Sequence, residues 1–378
     1  MPVHRPERIL IVGGGIAGLT AAIALRARGF EPELVERATA WRTVGAGIVI
    51  QPNALRLLER FGVASRVEAS GAAVDRFQYL TPKGELLAEV GLHEFWGVSR
   101  FRGAIERGAL QTALLSALDG ACCRLGVGVK SLRQRQGAVS VGFDDGSSGE
   151  YDLMIGADGI GSTVRTLAIG EIAPRYCGQT AWRALAPIRR EDAREVQFWL
   201  GSGCFLTIYP VSRTRTYLCA YADEPHPVHE PEKGRLARLR NRLASFGAPA
   251  RTLAAALERD DQIHCAAIES IESPQWRNGR TLLIGDAAHA SSPMMGQGGC
   301  MAIEDAVVLA ELLESSSTVD TALDAFTPRR RPRVDWVQAQ SDATGKAMLL
   351  PVAVRDAAIR ERGAQGFRDR YARLLTAP

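Results

Sequence analysis

Apolar positions along the chain follow two different periods. Arg8 to Val12 is a short aliphatic run of the kind buried on both faces of a parallel sheet. Behind it Leu19, Ile23 and Ala27 recur at helical spacing until Gly29, which predicts a helix, and Leu34-Val35 predicts a second strand ending at Glu36. Two further aliphatic runs, Leu153 to Ile155 and the stretch that leads from Arg280 to Asp286, read as additional buried strands. Between them the pattern turns to alternation at 180–184, Glu195 to Leu200, Cys204 to Pro210 and Thr216 to Tyr221, which predicts a half-buried sheet. A helix is expected from about Cys300 to Leu313, and Ser315-Ser316-Ser317 is a cap region behind it.

The turn after the first strand reads Gly13-Gly14-Gly15-Ile16-Ala17-Gly18, a GxGxxG sequence between a strand and a helix. Gly13 permits the turn, Gly15 lets backbone approach a pyrophosphate, and Gly18 lets the helix pack closely on the strand. Amides at the helix start then hold the phosphates. Glu36 lies eighteen positions beyond Gly18, at the end of the second strand, where a carboxylate accepts hydrogen bonds from ribose hydroxyls and repels a 2'-phosphate. NAD and FAD both use such a unit, so the dinucleotide must be chosen elsewhere.

Composition removes several alternatives. The 46 basic and 42 acidic residues are spread along the chain, so no concentrated basic field for nucleic acid is expected. The seven cysteines form no CxxC pair and no zinc-type spacing, which reads as reduced thiols and no metal site. His226 and His229 stand among prolines and read as a loop. Ile9 to Leu25 is uncharged and follows Arg5 and Arg8, yet its four glycines argue for strand, turn and helix and against a signal peptide or anchor. A cytoplasmic protein without stable membrane insertion, monomeric or homodimeric, is the resulting expectation.

Two more segments decide the cofactor. Asp152 to Arg165 (DLMIGADGIGSTVR) runs from a buried strand into Gly156-Ala157-Asp158-Gly159. Arg280 to Ala306 delivers Asp286 at a strand's C-terminal end and continues through the loop Pro293 to Gly299. With these three motifs in order, the chain resembles the class A flavoprotein monooxygenases, the group of p-hydroxybenzoate and salicylate hydroxylases, over roughly residues 7 to 345. Val44 to Ile48 followed by Pro52-Asn53-Ala54, and Arg107 to Gln111 opening a helix, are weaker matches.

The resemblance implies a mixed α/β fold: a Rossmann-like FAD-binding domain with a parallel sheet (1–73, 96–176 and 268–325), interleaved with a smaller antiparallel-sheet substrate domain (74–95 and 177–267) and ending in a C-terminal helical segment (326–378). It implies FAD as cofactor, with Gly13, Gly15, Ile16, Ala17, Gly18, Glu36, Arg37, Gly47, Arg107, Asp158, Asp286, Pro293, Gly296, Gly298 and Gly299 around it. Glu36 would hold the adenosine ribose, Arg107 would lie by the pyrophosphate or ribityl chain and Asp158 by the pyrophosphate, and Asp286 would meet the ribityl or pyrophosphate portion. Amides at Gly298 and Gly299 would face the flavin pyrimidine ring. His289 is read as a hydrogen-bonded packing residue without chemistry.

In the family the half-buried sheet roofs the flavin, which makes Arg183, Phe205, Tyr209 and Tyr217 the substrate-facing candidates; Trp182 and Trp199 read as core. Arginine can pair with an acidic substrate, and tyrosine can orient or deprotonate a phenol. The chain is also similar to bacterial FAD-dependent urate hydroxylases, but Phe205 stands where those carry an arginine before the Pro-Val-Ser step, which favours a less polar ring. The implied reaction takes NADH or NADPH and O2 and hydroxylates a small aromatic or heteroaromatic molecule through a flavin C4a-hydroperoxide. Epoxidation or polyketide hydroxylation, a reductase or dehydrogenase, and a non-catalytic FAD-binding regulator are the alternatives. Arg329 to Arg333 reads as a solvated helix start or an anion site, and the apolar stretch 347–354 as a cover for the pocket or another subunit.

Overall fold

A computed structural model describes residues 6–41, 46–97, 103–118, 122–188, 193–228 and 230–378. Val44 and Gly45 of the second weak motif, and His229, lie outside these residues. Among the described residues no cluster of three or more side chains suited to a metal ion occurs, and no helix is long and apolar enough to cross a membrane.

The buried aliphatic runs assemble one sheet, in the order Arg277–Asn278, Thr281–Leu283, Leu153–Gly156, Ile9–Val12, Glu33–Glu36, Cys123–Leu125. All neighbours are parallel except the first pair. Ile9 to Val12 is buried throughout, as strands covered on both faces must be. Because the strands run the same way, Gly13, Glu36, Ala157 and the Gly285-Asp286 step all emerge at one edge, the edge where open α/β sheets bind ligands. Helices Ile16–Arg26 and Gly298–Ser315 lie against each other beside this sheet. The segment with the look of a membrane anchor is therefore a strand, a tight turn and a helix.

The alternating runs form a seven-stranded sheet, in the order Ile263–Ser270, Arg175–Ala186, Thr216–Asp223, Cys204–Pro210, Glu195–Leu200, Arg76–Leu80, Leu86–Gly91. Its pairs are antiparallel except Glu195–Leu200 with Arg76–Leu80. Alternation gives it two faces. On one, Trp182, Trp199, Leu206 and Leu218 make a separate core with helices Arg235–Leu243 and Ala248–Ala255. The other face is a roof over the edge of the parallel sheet. A short ribbon, Gly47–Val49 paired with Ala104–Glu106, lies between the two.

The last sixty residues depart from expectation. They hold two helices, Val319–Met348 and Val352–Tyr371. The first begins at Thr318, whose hydroxyl accepts from the Thr321 amide, so the basic run lies mid-helix and is not a helix start. Arg330 is 0% exposed and sits between Glu304 and Asp305. The stretch 347–354 covers nothing in the cavity: it is the break between the helices, and Leu350, Val352 and Val354 are exposed.

Candidate active site

The glycine turn shows three separate uses of a missing side chain. Gly13 has φ +107°, and a β-carbon there would lie 2.4 Å from the Ala157 carbonyl oxygen, so the first loop rests on the second. A β-carbon on Gly18 would lie 1.9 Å from the Gly13 carbonyl, which forces glycine where the helix crosses its own loop. At Gly15 nothing lies within 4 Å: the position faces open space at the start of an eleven-residue helix whose first amides point outward. Glu36 braces this turn by accepting from the amides of Gly14 (2.8 Å) and Ala38 (2.7 Å), which leaves one lone pair on each oxygen. The side-chain amide of Gln111, in the helix that Arg107 opens, donates to the Gly14 carbonyl.

The Asp158 carboxylate is turned into its own loop, accepting from the Ser162 hydroxyl and the Val164 amide. Arg165, buried, donates to the carbonyls of Ile160 and Ala287 and so ties the second loop to the third. On the third loop Asp286 is exposed to the cavity and, among the described residues, makes no hydrogen bond. Helix Gly298–Ser315 starts two residues earlier than the periodicity predicted, which puts Gly298 and Gly299 in its first turn with their amides toward the same space.

Behind these loops lies a buried charge network. Asp305 accepts from the Gly285 amide (2.9 Å), His289 (2.6 Å) and Arg330 (2.8 Å), while Glu304 accepts from Arg330 (2.7 Å) and Asn53 (2.8 Å). Asn53 in turn bonds Gln297, the residue that precedes the Gly298 helix. One arginine therefore fixes both cofactor-facing loops against the long C-terminal helix. Burial alone would raise the Asp305 pKa; His289 and Arg330 overcome it and hold the group at about 2.

Loops and roof enclose a cavity of about 620 Å³. Arg183, Tyr209, Tyr217 and Tyr221 reach it from the roof, joined by His264, which pairs across the strands with Arg183. Arg183 has no carboxylate partner among the described residues. Burial disfavours its charge, but Cys219, Tyr217 and Tyr221 outweigh that and raise its pKa. Burial pushes the Tyr217 and Tyr209 phenols up, so both are neutral donors at physiological pH, suited to orienting a ligand and not to taking its proton. Burial and the charges of Arg183, Arg235 and Arg107 lower the His264 pKa, which leaves a neutral imidazole facing the cavity.

Three loops with a shared open edge and a roof of aromatic and cationic side chains describe a dinucleotide laid against a closed pocket, and the family that matches residues 7–341 is the FAD binding domain. The chain belongs to this family. Its relatives include the aurachin C monooxygenase/isomerase of Stigmatella aurantiaca, 35% identical over 354 residues covering 89% of this chain and 88% of that one. The 3-amino-4-hydroxybenzoate 2-monooxygenase PtnB3 of Streptomyces platensis is 33% identical, covering 92% and 90%. Among solved structures, Klebsiella pneumoniae HpxO complexed with FAD and uric acid superposes with a TM-score of 0.88 at 26% identity, covering 98% of this chain and 97% of that one.

The residues present fit FAD. The open space at Gly15, the unpartnered Asp286 carboxylate and the amides of Gly298 and Gly299 supply, in one cavity, what a pyrophosphate, a ribityl chain and a flavin ring require. Of the expected cofactor residues, Gly15, Ile16, Ala17, Gly47, Arg107, Pro293, Gly296, Gly298, Gly299 and Asp286 line this cavity of the flavoprotein. Gly13, Gly18, Glu36 and Asp158 shape it from behind, and Arg37 is exposed beside Glu36. Phe205 is a correction: it lies on the roof's inner face but is fully buried and stacked on Tyr221 with ring centroids 4.7 Å apart, so it supports the wall without reaching the ligand space. Trp182 and Trp199 lie in the core behind the roof.

Sequence reasoning missed His264, the Glu304-Asp305-Arg330 network and the wall supplied by the last helix. A signal existed for the network: two adjacent acids inside the apolar run Cys300 to Leu313 demand buried partners.

Proposed function

We propose that this flavoprotein is an FAD-dependent monooxygenase that consumes NADH or NADPH and O2 to hydroxylate an aromatic or heteroaromatic molecule, in the cytoplasm. The observation that carries the reading is the placement of Arg183, Tyr217 and His264 in one cavity with Gly298 and Gly299. A ring bound there lies between hydrogen-bond donors on the roof and the flavin-facing loop, away from bulk water. Such a pocket serves oxygen insertion, where water competes with the substrate. The ligands for which relatives are named, an aminohydroxybenzoate and uric acid, are rings bearing hydroxyl, oxo or amino groups and support the same class.

FAD, when bound, supplies the redox chemistry and the activation of O2. The chain's own residues do the rest. Glu36 and the Gly15 turn hold the adenosine and pyrophosphate; Asp286 and the amides of Gly298 and Gly299 hold the ribityl chain and the ring. The positive end of the eighteen-residue helix favours negative charge on the reduced ring. Arg183 draws an anionic or oxo group, Tyr217 and Tyr209 donate to it, and neutral His264 accepts a proton from a ring hydroxyl at its Nδ1 or Nε2 atom. No second glycine fingerprint occurs in the sequence, which fits a nicotinamide that visits transiently.

The test is stopped-flow reduction of the holoenzyme by NADH and by NADPH across a panel of hydroxylated and aminated rings, followed by mass spectrometry under 18O2. Ring-stimulated reduction with one labelled oxygen in the product is expected. Reduction indifferent to every ring, with all electrons recovered as hydrogen peroxide, overturns the reading.

A further inference from the structure

The roof changes character across its width. On the strand Arg175–Ala186 and its two neighbours the cavity meets Arg183, His264 and Tyr217; on the strands Glu195–Leu200 and Arg76–Leu80 it meets Phe198 and Phe77. Along the sheet Arg183 is three strand spacings from Phe198 and four from Phe77, about 14 and 19 Å at about 4.8 Å per strand. One ring beside Arg183 cannot span either distance.

The apolar end is built, not left over. Phe77 stacks on Phe198 (centroids 4.8 Å) and meets Phe367 of the last helix (5.0 Å), which stacks on Tyr371 (4.4 Å). Leu92 and Trp96 close the floor. The Tyr371 hydroxyl is already committed to the Met295 carbonyl at 2.8 Å, and the phenylalanines beside it have no polar side-chain atom to offer a ligand. The arginines, the imidazole and the carboxylate that line the cavity, Arg107, Arg183, His264 and Asp286, belong to the flavin-facing loops or the polar half of the roof. An apolar part of a ligand laid along such a wall gains transfer energy for each methylene it brings out of water.

Resting on the hydroxylase reading above, we propose that the substrate is amphipathic: a ring with an anionic or oxo group held by Arg183, carrying an alkyl or aryl arm that lies along Phe198, Phe77 and Phe367. The last helix is then the element that selects arm length. Substrate comes from reactions that attach an apolar chain to a ring, and an unadorned ring is a weaker ligand.

The experiment titrates the visible spectrum of the holoenzyme's bound FAD with two series, salicylates carrying a 5-n-alkyl chain and 4-hydroxyquinolines carrying a 2-n-alkyl chain, each from the bare ring to nonyl. Dissociation constants are expected to fall about threefold to fourfold per methylene until the arm is full. Phe367→Trp should move that break to shorter chains and Phe367→Ala to longer ones, with Phe198→Trp as a second plug. A flat dependence on chain length while bare rings bind and are hydroxylated overturns this proposal and leaves the hydroxylase reading standing. A plug that weakens every member equally also overturns it. If no member of either series binds or stimulates reduction, the hydroxylase reading falls and the arm falls with it.

Discussion

Gly47 and Tyr217 meet so closely that a β-carbon on the glycine would lie 2.6 Å from the tyrosine Cγ and 2.8 Å from its Cβ. The glycine belongs to the short ribbon and the tyrosine to the roof, so this contact sets the gap in which ring and flavin meet. Adding a methyl group at such a contact costs about 1–3 kcal/mol of strain, relieved by pushing the roof away. Gly47→Ala should lower kcat/KM by tenfold or more while the dissociation constant for FAD moves less. Steady-state kinetics beside a flavin titration separate the two, and a variant with unchanged kcat/KM would show that the gap is set elsewhere.

Arg183 faces the cavity from within the roof with no carboxylate partner among the described residues. A charge-assisted hydrogen bond to a ligand is worth about 1.5–3 kcal/mol, so Arg183→Met should raise KM for an anionic ring about tenfold to a hundredfold. Arg183→Lys should recover only part, because an ammonium lacks the planar fork. For a ring without an acceptor group the three enzymes should differ little. Equal losses on neutral and anionic rings would indicate a packing role instead.

His264 provides a pH signature. Burial and the neighbouring arginines lower its pKa below the ordinary histidine value. It is therefore neutral and able to accept a proton above that lowered value, and activity that depends on it falls as pH drops through it. His264→Asn should flatten the acid limb of the kcat/KM profile for a hydroxylated ring, with a loss on the order of a hundredfold at pH 8. An unchanged acid limb would assign the ionisation to another group.

The parallel sheet and its three loops were legible in the sequence because each loop is a glycine placed by a hard steric demand. Gly13 and Gly18 in the first, Gly156 at the entry to the second and Gly285 in the third would collide with backbone or side chain if they carried a β-carbon. The roof strands were legible because alternation exposes their two faces. Phe205 was misjudged since alternation assigns a face but not a depth: it shares the inner face with Thr207 and Tyr209, and Tyr221 covers it. Arg330 was misjudged because its partners, Glu304 and Asp305, lie 26 and 25 residues earlier, and only the folded chain brings them together. The wall from Phe367 and Tyr371 was invisible for the same reason.

Two glycines of the first turn should respond oppositely to the same change. Gly15→Ala places a methyl group in space that is open in the protein alone, so apoprotein stability should fall by no more than about 1 kcal/mol, the preference of an N-cap for glycine over alanine. FAD affinity should fall tenfold or more, because the pyrophosphate comes close to that backbone. Gly18→Ala puts the methyl group 1.9 Å from the Gly13 carbonyl and should destabilise the apoprotein itself. Thermal unfolding with and without added FAD reads both, and a Gly15→Ala protein that binds FAD normally would remove the pyrophosphate from this turn.

The Asp305 network predicts how acid unfolds the molecule. Its carboxyl titrates at about 2 in the folded state against about 3.9 in an unfolded chain. A group with a depressed folded pKa contributes stability that is complete above the unfolded value and vanishes as pH falls through the folded one. The contribution is about 2–3 kcal/mol, present at pH 5 and lost between about pH 4 and pH 2. Asp305→Asn should cost somewhat more at neutral pH, about 3–5 kcal/mol, since it leaves Arg330 buried with one carboxylate fewer. It should also weaken FAD binding, because the Gly285 amide loses its charged acceptor next to Asp286. Urea unfolding of both proteins from pH 7 to pH 2 tests this: the gap between them should hold to about pH 4 and then narrow. A gap independent of pH would mean that Asp305 is not ionised in the folded protein.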